Sequence, residues 1–367
     1  MSERTRPPFR ADHVGSLLRP AALKEARIKF AKGEIDAAML KAAEDREIER
    51  VIRKQEEAGL RSITDGEFRR SWWHLDFLWG LDGIEKHVMD AGIAFAGVNT
   101  RNEGLKVTGK TGFSGHPMIE HFKFVAAHTK RTPKITIPAP SAAYGRPSPT
   151  PIDKTVYPAL DGFFDDLGKA YKKAVRAFAD AGCRYLQLDE VFIAMLCDEK
   201  YRGQMRARGD DPEKLGALYG DLINTAMSDI PSDMTITMHM CRGNYKSTFM
   251  GTGGYEAEQE ILFDRIKVHG YFMEYDTDRA GSFEPLRLVP KDRQVVLGLV
   301  TTKTGRLEAK DAIKRRIDQA TKYISLDQLC LSPQCGFAST EEGNALAEEE
   351  QWAKLRMIVE LAEEVWG

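Results

Sequence analysis

Tyr185-Leu186-Gln187-Leu188-Asp189-Glu190 is a short apolar run ending in two carboxylates, and it follows a stretch, 160–181, whose apolar residues recur at helical spacing. Six residues are too few for a buried helix and suit a strand, so the pair reads as one helix-then-strand step of an alternating chain. The same alternation continues on both sides. Candidate strands precede it at 11–17, 60–67 and 134–138, with a helical pattern over 34–58 that Gly59 ends as a left-handed C-cap would. Further strands follow at 235–241, 271–275, 294–300 and 328–332. Helical patterns separate them after the Asp210-Asp211-Pro212 cap signal, over 256–267 and over 308–323, and a last helix covers 343–365. Eight such strands predict an α/β fold of the (β/α)8 TIM barrel type, because repeated βα units build a parallel sheet. A doubly wound open sheet has a similar count, but Gly15 stands alone where that fold places a glycine-rich loop. The glycine-rich stretch 83–132, with its short β-type runs, breaks the rhythm and reads as an inserted β-hairpin region after strand two. No biased linker divides the chain, so residues 1–367 are expected to form a single catalytic barrel.

The 367 residues carry 53 basic and 55 acidic side chains, a net charge of −2, so no basic field points to nucleic acid or to an anionic membrane. The stretch beginning Met1-Ser2-Glu3-Arg4 lacks the apolar run of a signal peptide, and no later run approaches the roughly 20 apolar residues of a membrane helix. A soluble, cytoplasmic protein is expected. Cys183, Cys197, Cys241, Cys330 and Cys335 are odd in number and scattered, which favours reduced thiols over a disulfide scaffold. Cys183, Cys197 and Cys330 read as buried small hydrophobes.

The other two cysteines keep different company. In Thr237-Met238-His239-Met240-Cys241-Arg242, His239 and Cys241 are two apart on a strand and share a face. Cys335, in Ser332-Pro333-Gln334-Cys335-Gly336, closes another strand-like run. Imidazole with two thiolates suits Zn²⁺, and Glu274 in the apolar run 271–275 offers a fourth ligand. An ion pair with Arg242 or Arg279 would justify Glu274 equally well. Ser16, Glu67, Asp189, His239, Cys241, Glu274 and Cys335 all stand at or just past the C-terminal ends of candidate strands, the rim on which barrel enzymes build their sites.

Adjacent carboxylates on a strand face opposite ways, so one of Asp189 and Glu190 enters the barrel mouth while the other pairs outside it. Asp65-Gly66-Glu67 repeats the design, and for both runs a helix N-cap or an ion pair is the competing use. Trp72-Trp73-His74, with Phe77 and Trp79, forms either a packing cluster over the barrel end or an apolar wall that excludes water. Lys303, with Thr301 and Thr302, lies where barrels often bind anions. Gly104 to Thr111 has the spacing of a phosphate loop, but the following 112–117 should open no helix, which makes the match a coincidence.

Taken together, Asp12-His13-Val14-Gly15-Ser16, Thr64-Asp65-Gly66-Glu67-Phe68-Arg69, Gln187-Leu188-Asp189-Glu190, His239-Met240-Cys241-Arg242-Gly243-Asn244 and Ser332-Pro333-Gln334-Cys335-Gly336 resemble the catalytic barrel of cobalamin-independent methionine synthase. The likeness covers about the whole chain and is greatest to the short, single-barrel bacterial members. It implies a methyltransferase of methionine biosynthesis, passing a methyl group to the thiol of homocysteine, with Zn²⁺ held by His239, Cys241, Glu274 and Cys335. It assigns the substrate carboxylate to Ser16, the ammonium to Glu67 and Asp189, and catalytic roles to Glu274 and Asp189. Zinc in such a site lowers the pKa of the substrate thiol.

The family implies a methyl-folate donor, and here the chain departs from the pattern. Pro138 to Tyr144 lacks the tryptophan that stacks on the pterin, Thr301-Thr302-Lys303-Thr304 replaces a His-Ser-Pro type motif for proton transfer, and a single barrel without the family's additional amino-terminal one is expected. A methyl-corrinoid carrier protein or another small donor could replace the folate. The alternative within the fold is alkyl transfer to another thiol, as in epoxyalkane:coenzyme M transferases. Glu67 and Asp189, which suit an amino-acid ammonium, favour homocysteine.

Overall fold

A computed structural model describes residues 4–367, so Met1, Ser2 and Glu3 of the amino-terminal stretch read above lie outside the described residues. Six parallel strands form the main sheet in the order Leu329–Pro333, Gln294–Val300, Gly270–Glu274, Thr235–Met240, Tyr185–Glu190 and Ile135–Pro138. Each therefore pairs with its sequence neighbour. They are buried along almost their whole lengths, which is why they read as unbroken apolar runs rather than as alternating ones. Helices pack outside them. Leu160–Asp180 buries a stripe that includes Phe163, Leu167, Tyr171, Ala174 and Phe178, at the spacing of one helix face. Pro212–Ala226 begins where the cap signal places it, with the Asp211 side chain accepting from Glu213 N. The protein is an α/β fold.

The sheet is extended at both edges by much shorter contacts. Thr132–Pro133 pairs in parallel with Ser62–Ile63, and Ala11 makes an isolated parallel bridge to Leu331. The expected strands 11–17 and 60–67 are thus reduced to one bridging residue and a two-residue strand. Gly15 and Gly66 both take positive φ, which bends the backbone out of any ladder. Side chains satisfy the freed groups: Thr64 Oγ1 donates to Gly15 O (2.7 Å), and Gln55 bonds Thr64 through both ends of its amide.

Three other expectations need correction. The inserted antiparallel region, Asp82–Val88 with Glu103–Gly112 and a small hairpin of Ala94–Phe95 and Val98–Asn99, stops at Gly112 rather than near 132. Met118–His128 is a helix, since Met118, Phe122 and Val125 bury one stripe. It opens directly behind Pro117, contrary to the reading of 112–117, while Gly104 to Thr111 lies inside a hairpin strand and cannot cradle a phosphate. Finally, 256–267 is not a regular helix. It is a 3-10 turn, Tyr255–Glu258, and a π turn, Ile261–Arg265, whose wide bond from Ile266 N to Ile261 O lets Leu262, Phe263 and Ile266 all reach the core. Sequence periodicity also passed over the helix Ala21–Ala31. No helix among the described residues is long and apolar enough to cross a membrane.

Asp12 ties the edges together beneath the sheet. Its carboxylate is fully buried and accepts from His13 N (2.8 Å), Phe9 N (3.1 Å), Ser62 Oγ (2.7 Å) and Tyr185 Oη (2.8 Å), with the equally buried Lys134 Nζ at 3.3 Å. Burial pushes this carboxyl up, and Lys134 with the donors more than offsets it, leaving Asp12 below the usual carboxylate range. Asp12→Ala would strand the Lys134 ammonium in the interior, and a loss of about 3–5 kcal/mol is expected in denaturant unfolding. A double change, Asp12→Ala with Lys134→Met, should recover most of that loss. Stability unchanged in the single variant would contradict the account. The ionised pair contributes fully above the ordinary carboxylate pKa of about 3.9 and is lost as pH falls through the lowered folded value. The gap between wild type and Asp12→Ala should therefore narrow only in strong acid.

Candidate metal centre

Strand register assembles the site. On Thr235–Met240, His239 faces Asp189 of one neighbouring strand and Phe272 of the other. Cys241 follows immediately, its N–H donating to Glu190 O (2.8 Å). Glu274 ends Gly270–Glu274 opposite Gly298. Cys335 is delivered by a register shift between Gly298 and Val300, where a Cβ on residue 298 would lie 2.7 Å from Gln334 Cα and 2.9 Å from Met273 O. Only glycine permits that approach.

The donor atoms of His239, Cys241, Glu274 and Cys335 all lie within 4.8 Å of one another, and all four residues are buried. The two sulfurs are 3.6 Å apart and both thiols are free. Two thiolates about 2.3 Å from one tetrahedral ion stand roughly 3.8 Å apart, so the spacing fits a shared zinc. Both ring nitrogens of His239 are buried without a hydrogen-bond partner, and a metal bond would remove that cost at one of them. The two competing uses of Glu274 are compatible: Oε2 pairs with Arg279 Nη2 (2.7 Å), while Oε1 accepts from Arg242 N (3.3 Å). The Arg242 guanidinium instead lies over the Tyr255 ring, 4.3 Å from its centroid. The hydrogen bond from Cys241, with the charges of His239 and Lys303, holds the Cys335 thiol well below its usual range against the effect of burial. The same bond and burial push Cys241 up. The cluster thus favours a thiolate, the form that binds metal. Cys183, Cys197 and Cys330 are pushed up to about 12 by burial; Cys183 and Cys330 are core thiols, whereas Cys197 is half-buried against the core.

Beside the cluster stand two incompletely satisfied carboxylates. Glu67 follows Gly66 in the left-handed region, φ 62°, with its N–H held by Asp65 Oδ1 (2.8 Å). Its Oε1 accepts from Thr136 Oγ1 (2.8 Å), with Arg70 Nη1 at 3.6 Å, but Oε2 is buried and unpartnered. Strain in a non-glycine residue and an orphaned charge together mark a functional position. Asp189 accepts from Gln187 Nε2 (2.7 Å), and burial, with Glu67 nearby, pushes it up to about 7 against the pull of His239. Glu190 faces the other way, as adjacent strand residues must. It accepts from Ser141 Oγ (2.6 Å), Phe192 N (2.6 Å) and Ile193 N (2.8 Å), so Glu190 serves as a cap while Asp189 lines a pocket.

One pocket is lined by Ser16, Glu67, Asp189, His239, Cys241 and Cys335, and Glu274 lies behind it. Trp72, Trp73 and His74 form part of its wall, whereas Phe77 packs against His116 and Tyr171, and Trp79 Nε1 donates to Gly104 O. The aromatic run therefore divides between wall and core. Lys303 does not line the pocket; its Nζ reaches Asn244 Oδ1 at 3.4 Å. Sequence reading passed over Phe95, Phe192 and Tyr245 on the wall. Tyr245 directly follows the quoted 239–244 motif, but nothing local distinguishes Phe95.

Comparison with known proteins agrees with this geometry. The profile of a family described as "Cobalamin-independent synthase, Catalytic domain" matches residues 156–364. The uncharacterized Bacillus subtilis protein YxjH is 52% identical over 361 residues, covering 98% of this chain and 95% of its own. A Listeria monocytogenes protein, solved as a candidate vitamin-B12 independent methionine synthase, superposes with a TM-score of 0.80 at 41% identity, over 99% of this chain and all of the other. The Bacillus velezensis 5-methyltetrahydropteroyltriglutamate–homocysteine methyltransferase is 23% identical over 96% of this chain, which spans 42% of that enzyme. With the profile covering more than half of the chain and the bacterial relatives nearly all of it, the chain belongs to the cobalamin-independent methionine synthase family, through its catalytic domain.

Proposed function

We propose that this chain is a zinc-dependent S-methyltransferase that methylates homocysteine to methionine on a single (β/α)8 barrel, residues 1–367, whose first two strands survive as the short edge contacts at Ala11 and at Ser62–Ile63. The observation that carries the reading is one pocket joining a four-donor cluster to two carboxylates, Glu67 with one oxygen unpartnered and Asp189 held by Gln187. His239, Cys241, Glu274 and Cys335 would hold the metal, which when bound supplies a Lewis acid favouring the thiolate form of the substrate thiol. Glu67 Oε2 and Asp189 receive the substrate ammonium through charge-assisted hydrogen bonds. Thr136 and Arg70 hold Glu67 in place, and Gln187 holds Asp189, so neither carboxylate must reorganise when substrate arrives. Ser16, whose Oγ accepts from Ala338 N (3.4 Å), faces the substrate carboxylate. Arg279 orients Glu274 by pairing with its outer oxygen. The Trp72, Trp73 and His74 wall excludes water from the nucleophile. A sulfonate-bearing thiol such as coenzyme M suits the pocket less well, because no lysine or arginine lines it.

Cys241→Ser and Cys335→Ser are each expected to lose zinc, measured by metal analysis, and methyl transfer, while circular dichroism and melting show a folded chain. The sheet rests on its apolar core rather than on the metal, so retention of full zinc content in either variant would contradict the assignment. Asp189→Asn should keep zinc and lower kcat/KM for homocysteine. Removing one charge-assisted bond costs about 1.5–3 kcal/mol, or roughly ten- to hundredfold at about 1.36 kcal/mol per decade. A short alkane thiol lacking the ammonium should react equally with both proteins. Unchanged homocysteine kinetics would argue against an amino-acid thiol.

A further inference from the structure

The pocket beside the metal cluster is lined by no lysine or arginine. Its acidic groups are Glu67 and Asp189, and much of the remaining wall is aromatic, from Trp72, Trp73, Phe95, Phe192 and Tyr245. The wall is a built feature. Phe95 belongs to the small inserted hairpin, whose turn is fastened by Ala96 N donating to Phe249 O (3.3 Å), and its ring rests 5.6 Å from that of Tyr245. Trp73 lies 4.4 Å from the His74 ring. Burial, reinforced by Arg146, holds His74 well below its usual range, so the imidazole is neutral. The Tyr245 hydroxyl is turned away onto Glu342, and Lys303 is held on Asn244 outside the lining.

Such a pocket discriminates between methyl donors. A polyglutamate tail requires cations, and the lining residues supply none. A methyl group on a positively charged sulfur or nitrogen requires no such cation. Its charge is attracted to aromatic faces.

We propose that the methyl donor is an onium compound, a methylsulfonium or a methylated quaternary ammonium, seated against Trp73 and Phe95; this rests on the reading of the chain as a homocysteine methyltransferase. In the step itself the homocysteine thiol first releases its proton to solvent. A sulfur lone pair then forms the new S–CH3 bond as the bond from the methyl carbon to the donor's charged atom breaks. The bonding pair stays on the donor atom, which leaves neutral as a thioether or tertiary amine. The methyl-folate expected from the family resemblance is replaced.

The test supplies the zinc-loaded full chain with backbone-labelled homocysteine and, separately, S-methylmethionine, glycine betaine, mono- and polyglutamyl methyl-tetrahydrofolate, and methylcobalamin, with labelled methionine followed by mass spectrometry. Faster transfer from either onium compound than from the folates or methylcobalamin is the expected result. Equal or faster transfer from a folate or from methylcobalamin overturns the onium assignment and leaves homocysteine methylation standing. Labelled methionine from no donor overturns both. Trp73→Leu and Phe95→Leu should each raise the onium KM roughly three- to thirtyfold with the homocysteine KM unchanged. An onium KM unchanged in both variants overturns the proposed seat.

Discussion

A carboxylate cannot be taken out of water without compensation, and the way this chain compensates its buried ones separates scaffold from site. Asp12 has a lysine and four donors, and Glu190 has a hydroxyl and two backbone N–H groups. Both are closed accounts of structure: one ties the edges of the sheet, the other caps the helix Phe192–Met195. Glu274 is satisfied on one oxygen by Arg279 and presents the other to the thiols. Glu67 Oε2 is left without a donor, Asp189 has Gln187 as its side-chain partner, and both residues face the same pocket. The carboxylates that line the pocket thus have fewer partners than those that hold the scaffold.

Local strain accompanies that shortfall. Glu67 could reach the pocket from an extended strand only by keeping its neighbours in the ladder. The turn at Gly66 and Glu67 takes it out of the ladder and aims it inward, with Asp65 bracing the backbone. On the opposite side, a missing Cβ at Gly298 lets the Gln334 backbone close in, and Cys335 arrives 3.6 Å from Cys241. The same features that erase the first two strands from the regular sheet thus help to form the pocket and its donor cluster.

The small hairpin contributes a part of the pocket from outside the main sheet. It brings Phe95 over the mouth, completing an aromatic wall begun by Trp72 and Trp73. Trp72 is itself fixed to this region, its Nε1 donating to Glu103 Oε2 (2.7 Å), so wall and hairpin are held as one unit. The four candidate metal ligands stand at or just past the ends of main-sheet strands, whereas Phe95 belongs to the hairpin.

The sequence by itself determined the strands with strong local patterns, Tyr185–Glu190, Thr235–Met240 and Gln294–Val300, the long helices, and the residue types of the metal cluster. Two-residue alternation also showed that His239 and Cys241 share a face and that Asp189 and Glu190 do not, because side-chain direction in a strand depends only on position. The tertiary structure decided what depends on distance through space. It brought Cys335 to Cys241 across 94 residues, left Glu67 Oε2 without a donor, and placed Phe95 over the pocket. It also shortened the strands at 11–17 and 60–67, where positive φ and side-chain hydrogen bonds outweighed β-type composition. Burial and pairing are properties of the packed chain, and no local pattern records them.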